Sequence, residues 1–254
     1  MPIWLKTLLM KKRHLMNNTA KPIALQIEEA VKDIPGWSPL DQLLSLYTLA
    51  FSSAHLRGDI LELGSWCGRS AVALGMAAWQ TKNTKVHCVD LFPEKKDWYR
   101  NTDGTYSFEL TLSGNSYGAY RDQTVWEEPF LRDIAPMYQR WSGTLDAFNF
   151  FMTQNGLATL VTPYRGDLDS FANNVSRELR LRLAFIDGDH SFGAVCKDIE
   201  IVERFLLPGG WICFDDAFSS YEGVNRAIQE RILESGKYAR CQQLTRKFFV
   251  AQRI

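Results

Sequence analysis

Apolar residues recur along this chain with two different periods, and the points where one gives way to the other define most of its predicted elements. In the first stretch the spacing is helical, giving two helix candidates, Ala24 to Lys32 and Leu40 to Leu56, before any strand. From Gly58 the pattern becomes strand, helix, strand: Asp59 to Leu63, Ser70 to Trp79, and Val86 to Leu91. A further helix is expected from Leu145 to Asn155, with Leu145, Phe148 and Met152 on one face and Gly156 placed to cap it, ahead of a strand at Thr159 to Thr162. Leu181 to Ile186 is the next strand. Val195, Ile199, Val202 and Leu206 form the apolar stripe of the helix behind it, and Leu207-Pro-Gly-Gly210 breaks that helix before a strand at Trp211 to Phe214. A helix around Val224 to Leu233 follows, and Tyr238 to Leu244 with Phe248 to Gln252 reads as a terminal hairpin.

Strands alternating with helices predict an α/β fold, a doubly wound and mostly parallel seven-stranded sheet closed by an antiparallel hairpin. Ligands of such sheets bind beyond the carboxyl ends of the strands. Residues 1–57 read as an N-terminal helical extension and 58–254 as the main domain. Within the latter, Pro93 to Arg140 departs from the rhythm. This connection is rich in aromatic residues, including Trp98, Tyr99, Tyr106, Tyr117, Tyr120, Trp126, Phe130 and Tyr138. A long insertion at the ligand-binding edge is expected to be functional, either as a substrate lid or as a homo-oligomer contact.

Composition narrows the setting. Lys plus Arg equals Asp plus Glu at 29 each, so no charge excess points to nucleic acid as a partner. The five cysteines, Cys67, Cys88, Cys196, Cys213 and Cys241, are scattered without a Cys-x-x-Cys pair. They read as small apolar residues in a reducing, cytoplasmic setting and not as a zinc site or disulfide framework. No apolar run approaches the ~20 residues that span a bilayer, so no stable membrane insertion is expected. The basic, amphipathic stretch from Met1 to His14 is interrupted by Lys6 and lacks a following small-residue cleavage site, so it reads as a tail and not as a signal peptide.

Candidate chemistry begins at Leu61-Glu-Leu-Gly-Ser-Trp-Cys-Gly-Arg-Ser-Ala-Val72. A strand that stops at glycines and turns at once into a helix presents free backbone N–H groups to an anionic or zwitterionic ligand. Asp90 ends the next strand, where an acid can accept hydrogen bonds from ribose hydroxyls. Trp66 stands where the close pyrophosphate of a dinucleotide requires glycine, which disfavours a nicotinamide cofactor. On the residues alone, Glu62 also suits a helix cap and Asp167 an ordinary turn.

This stretch resembles the class I S-adenosylmethionine-dependent methyltransferases, and within them the metal-dependent O-methyltransferase branch typified by catechol O-methyltransferase. The resemblance implies that Gly64 and Ser65, with Gly68, shape the cradle for the methionine end of the cofactor. It also implies that Glu62 helps hold the ammonium, that Ser70 meets the carboxylate and that Asp90 binds the ribose. Arg165-Gly-Asp-Leu-Asp169 resembles the adenine-contacting loop of the same family, with Asp167 or Leu168 at the base.

Two acidic motifs, Ile186-Asp-Gly-Asp-His-Ser191 and Cys213-Phe-Asp-Asp-Ala217, also end predicted strands. Carboxylates converging at neighbouring strand ends repel unless protonated or bridged by a cation, and oxygen ligands point to Mg²⁺ or Mn²⁺. The resemblance implies the same, placing the metal on Asp187, Asp215 and Asp216. The paired acids depart from the Asp-Asn pair of catechol-type enzymes, but resemble metal-dependent methyltransferases acting on sugars and other natural products. His190 stands three residues after Asp187, where the catechol-type family has a catalytic lysine, and its ordinary pKa suits a base. Asp189 is the competing base, by resemblance to the sugar-modifying branch. Together these residues predict a metal-dependent O-methyltransferase for a small hydroxylated molecule, a sugar or a phenolic natural product. The alternatives are a metal-independent methyltransferase for another nucleophile, and a cofactor-binding partner subunit without chemistry of its own.

Overall fold

In the computed structural model, residues 21–82, 84–118 and 124–254 are described. The tail from Met1 to His14 and Tyr120 of the insertion lie outside them. The elements in chain order are α1 (Ile23–Val31), α2 (Leu40–Ser52), β1 (Asp59–Leu63), α3 (Arg69–Thr81), β2 (Val86–Asp90), β3 (Trp98–Arg100), β4 (Tyr106–Leu112) and β5 (Asn115–Gly118). They continue with α4 (Thr144–Gln154), β6 (Val161–Arg165), α5 (Leu168–Asn174), β7 (Leu181–Ile186), α6 (Phe192–Glu203), β8 (Leu206–Phe214), α7 (Glu222–Ile228), β9 (Tyr238–Gln243) and β10 (Phe249–Arg253).

Seven strands form one sheet in the order β6-β2-β1-β7-β8-β10-β9. The first five run parallel, β10 runs against them, and β9 returns in their direction, which is the mostly parallel seven-stranded sheet with a terminal antiparallel hairpin that the sequence predicted. Alternate strand residues bury against opposite layers, because successive side chains leave a strand on opposite faces. Ile60, Val86 and Phe185 pack with α1 to α4, while Leu61, Val89 and Ile186 pack with α5 to α7. The N-terminal extension belongs to the first of these layers. Ile27, Leu43, Leu46 and Ala50 are fully buried beside Ala71 and Leu74 of α3. Among the described residues no helix is long and apolar enough to cross a membrane.

Several predicted boundaries move. The sixth strand runs Val161–Arg165 instead of Thr159 to Thr162, taking in Pro163. It pairs with β2 alone at the sheet edge, where a missing N–H costs least. Leu206 does not belong to the helix stripe: α6 ends at Glu203, and Leu206 opens β8 opposite Leu181. The Pro208-Gly-Gly210 segment lies inside that strand as an irregularity, with regular pairing resuming at Leu183 and Trp211. The predicted last helix is Glu222–Ile228, followed by one wider π turn at Gln229–Leu233. The insertion is not a bare connection but carries a three-stranded antiparallel sheet, β3-β4-β5. Phe130 holds it down, stacking on Tyr106 at 3.8 Å and tilting against Trp98 at 5.2 Å.

Sheet order matters most at one place. From β1 the chain moves outward through β2 to β6, then returns to the far side of β1 as β7. The crevice between the carboxyl ends of β1 and β7 is therefore the topological switch point, where open α/β sheets bind their ligands.

Candidate active site

Gly64 and Asp187 leave the switch point side by side, since Leu63 pairs with Ile186. The backbones touch there: a Cβ on Gly64, whose φ is +88°, would stand 1.8 Å from the Asp187 carbonyl oxygen. The Asp187 N–H in turn donates to the Leu63 carbonyl at 2.9 Å. The glycine at the end of β1 is thus a requirement of the neighbouring strand that carries the acidic motif.

The turn is held from below. Trp66 sits in the left-handed region at φ 47°, and its N–H donates to Asp90 Oδ2 at 2.8 Å. Asp90 also accepts the Phe92 N–H, so its first task is to fasten this turn to the end of β2. Burial pushes the Asp90 pKa up, opposed by these N–H groups. Two oxygens offer about four acceptor positions, which leaves capacity for ribose hydroxyls. Glu62 is fully buried beneath the turn, with Oε2 accepting the Ser65 hydroxyl at 2.6 Å. Its Oε1 has no hydrogen-bond partner among the described residues. Burial pushes the Glu62 pKa up, with the hydroxyls of Ser65 and Ser70 pulling it back.

A cleft of about 920 Å³ opens over these strand ends. Gly64, Ser65, Ser70, Asp90, Asp167 and Leu168 line it, as do Asp187, Asp189, His190, Asp215 and Asp216. Glu62 and Gly68 do not line it: the first lies beneath Ser65, and the open side of the second faces Met152 and Phe148. Asp167 caps α5, accepting the Ser170 N–H at 2.9 Å, so its capping and cleft-lining roles coexist.

At the acidic end, Asp187, His190 and Asp216 each offer one ligand atom, all within 4.8 Å of one another. His190 Nε2 lies 3.3 Å from Asp216 Oδ2, and its ring packs on Tyr221 at 3.9 Å between centroids. The His190 Nδ1 is buried without a partner among the described residues. Burial and the charges of Asp215 and Asp216 hold the Asp187 pKa well above the usual carboxylate range, with Lys247 opposing. For Asp216 the balance is reversed. Burial pushes its pKa up, but the His190 contact and the Lys247 charge bring it below the ordinary value.

Lys247 is the residue that motif reading missed. Its Nζ donates to Asp215 Oδ2 at 3.1 Å and to Asp216 Oδ1 at 3.2 Å. Burial alone would lower its pKa, yet the charges of Asp215, Asp216 and Asp187 raise it, so this lysine is a resident cation and not a base. The only sequence signal was the hairpin register. Phe249 pairs with Phe214 on antiparallel strands, which brings Lys247 opposite Asp216.

Aromatic residues build the outer wall from distant segments. Trp37 precedes α2, Trp66 is in the cofactor turn, and Trp98, Phe108 and Trp126 belong to the insertion. The first three are in sequence contact through space, Trp37 to Trp66 at 5.8 Å and Trp66 to Trp98 at 6.3 Å between centroids. Arg69, at the start of α3, ties the N-terminal extension to this wall by donating to the carbonyls of Ser38, Val31 and Ile34.

A family model described as a methyltransferase domain matches residues 61–217, which hold the cofactor turn and both acidic motifs. The chain belongs to this methyltransferase-domain family. It is accordingly an S-adenosylmethionine-dependent methyltransferase. Solved structures of similar fold include the O-methyltransferase NovP, at 13% identity and TM-score 0.59, covering 86% of this chain and 83% of that one. Cofactor-bound Rv0187 from MTB matches at 16% identity and TM-score 0.58, over 92% of this chain and 91% of that one. The O-methyltransferase from Bacillus cereus, in complex with SAH, matches at 14% identity and TM-score 0.55, over 95% and 96%. For this methyltransferase such likeness establishes the fold, and the site has to be argued from its own residues.

Proposed function

We propose that this methyltransferase transfers the methyl group of S-adenosylmethionine to a hydroxyl oxygen of a small ring-bearing molecule, with a divalent ion held beside the acceptor. One observation carries the reading: the Gly64 to Ser70 turn and the Asp187, His190, Asp216 cluster open into the same cleft at the switch point. Two of the three similar structures above are described as O-methyltransferases, which supports an oxygen acceptor.

Gly64, Ser65 and Ser70 hold the methionine end, with Glu62 buried behind Ser65 as the counter-charge for the ammonium. Asp90 takes the ribose, and Asp167 with Leu168 borders the adenine. Trp37, Trp98, Phe108 and Trp126 stack the acceptor ring, whether a phenol or the apolar face of a sugar. The acceptor oxygen must lie in line with the S–CH₃ bond. As the O–C bond forms the C–S bond breaks, the electron pair stays on sulfur, and with His190 beside the ion the hydroxyl proton passes to Asp189, which faces the cleft.

Two carboxylates and an imidazole within reach of a common point fit a divalent ion. Asp187, Asp216 and His190 would hold it, with Asp215 at the margin because Lys247 engages it. When bound, such an ion supplies Lewis acidity that eases loss of the hydroxyl proton.

The test pairs methyl transfer to a library of phenols and sugars with cofactor binding by calorimetry. Asp187→Asn, or EDTA on the wild type, is expected to lower turnover about 100-fold or more, with the cofactor Kd within about threefold. Full turnover by a metal-free preparation would sink the metal role. A second reading, methyl transfer without metal, has one observation in its favour: the Lys247 ammonium already offsets part of the repulsion among the aspartates. Under that reading His190, paired with Asp216, is the base, and EDTA leaves turnover untouched.

A further inference from the structure

We infer that Asp198 reads the adenine of S-adenosylmethionine, pairing as a neutral carboxylic acid with the 6-amino group and a ring nitrogen beside it. This rests on the cofactor placement proposed above, in which Asp167 and Leu168 border the base. No strand-end motif marks Asp198, because it lies on the second turn of α6. Helical spacing turns Ala194, Lys197 and Asp198 to one face of that helix, and all three line the cleft. Asp167, Leu168 and Asp169, at the start of α5, line it as well. The two helices pack together, and Lys197 Nζ bridges them by donating to Asp169 Oδ2 at 3.2 Å. Asp198 thus stands on the wall that shares this end of the cleft with the residues bordering the base, near enough for the charge of Asp167 to act on it.

The surroundings decide which form of the carboxyl the ligand meets. Asp189 before α6 and Asp167 at α5 both face Asp198 with negative charge, and Lys197 on its own helix opposes them while also serving Asp169. Helix α7, packed on α6, sends its arginines elsewhere, Arg226 over the Phe192 ring and Arg231 to Glu200. A carboxyl facing two other acids in a partly buried groove holds a proton more readily than it adds a third charge. Burial and the Asp189 charge accordingly raise its pKa to about 7. Protonated, it presents an O–H donor beside a carbonyl acceptor, the same pair that an asparagine amide presents. That pair matches the edge of adenine, where the amino group donates and a flanking ring nitrogen accepts, and which Asn and Gln read in the same bidentate way. The ionised form has no donor and sets its charge against the lone pair of the ring nitrogen.

S-adenosylhomocysteine and its analogue lacking the 6-amino group are the probes, each titrated by calorimetry into the wild type, Asp198→Asn and Asp198→Ala. At about pH 6 the wild type should bind the analogue roughly tenfold more weakly than S-adenosylhomocysteine. Asp198→Ala should separate the two by less than about threefold, because the partner of the amino group is already gone. Raising the pH to about 8 should weaken S-adenosylhomocysteine about tenfold on the wild type, since only about a tenth of Asp198 then keeps its proton. Asp198→Asn, whose amide keeps donor and acceptor at every pH, should hold its affinity within about threefold over the same range. A preference between the probes that is the same on wild type and Asp198→Ala, or a wild-type Kd that does not respond to pH, overturns this inference and leaves the cofactor placement intact. A wild type that takes up neither probe overturns both.

Discussion

Gly64 stands where two demands on the backbone meet. Its φ of +88° is a conformation that L side chains adopt at a cost of about 1–2 kcal/mol. Separately, a Cβ there would sit 1.8 Å from the Asp187 carbonyl oxygen, a backbone atom that cannot move without parting β1 from β7. Gly114, at φ +84°, shares the first demand and not the second, because a Cβ there meets nothing within 4 Å. Urea unfolding separates the two. Gly114→Ala is expected to cost about 1 kcal/mol and Gly64→Ala roughly 3 kcal/mol or more, with loss of cofactor binding. Equal costs would mean that the contact between the strand ends contributes nothing. At this scale the sequence pointed to candidate residues where motif and strand end coincide, as at Gly64, Asp90, Asp187 and Asp216, and these line one cleft. Lys247 escaped because its place comes from hairpin register, and Glu62, expected to help hold an ammonium, lies beneath Ser65 and does not itself line the cleft.

Helix α6 carries a group that motif reading also passed over. Asp198 lines the cleft, and burial together with the nearby charge of Asp189 pushes its pKa up to about 7 from the usual 3.8, Lys197 opposing. Between these two values the folded protein keeps a proton that the unfolded chain has released. Stability therefore falls as pH rises from about 4 to 7, and the penalty stays in place above that window. Asp198→Asn removes it. The variant should match the wild type near pH 4 and gain roughly 1–2 kcal/mol at pH 8, less than the full shift implies because the side chain is partly exposed. Chemical denaturation at the two pH values checks this, and a gain independent of pH would remove the assignment. Elements were legible where their period was sustained. The central strands, buried on both sides, read as short apolar runs, whereas α5 has seven residues and only Leu168 and Phe171 buried, too few to display a helical stripe. The small sheet of the insertion was hidden differently. Its strands hold three to seven residues, and its anchors, Trp98, Phe130 and Tyr138, lie among other aromatic residues that obscure alternation.

Across the whole molecule the cleft brings together, besides α6 and the hairpin, three distant parts of the chain: residues 35–38 of the extension, the strand ends, and positions of the insertion that include Trp98, Phe108 and Trp126. The extension is not an appendage to this arrangement. Arg69 joins it to the first turn of α3, and its helices share the core that supports that turn. A ligand filling the cleft should then stabilise all three parts together. S-adenosylmethionine at about 100 times its Kd adds roughly 2.7 kcal/mol to the folded state. For a chain of this size that raises Tm by about 5–10 °C. The distribution of the effect is more telling than its size. Hydrogen exchange should slow not only across β1 and the start of α3, but also in residues 35–38 and 124–126, because Trp37 leans on Trp66, and Trp66 on Trp98 of the insertion. Protection confined to the Gly64 to Ser70 turn would mean that the cofactor binds without engaging the aromatic wall. The wall would then respond only to the acceptor, and the same measurement repeated with acceptor present would show its protection rising alone.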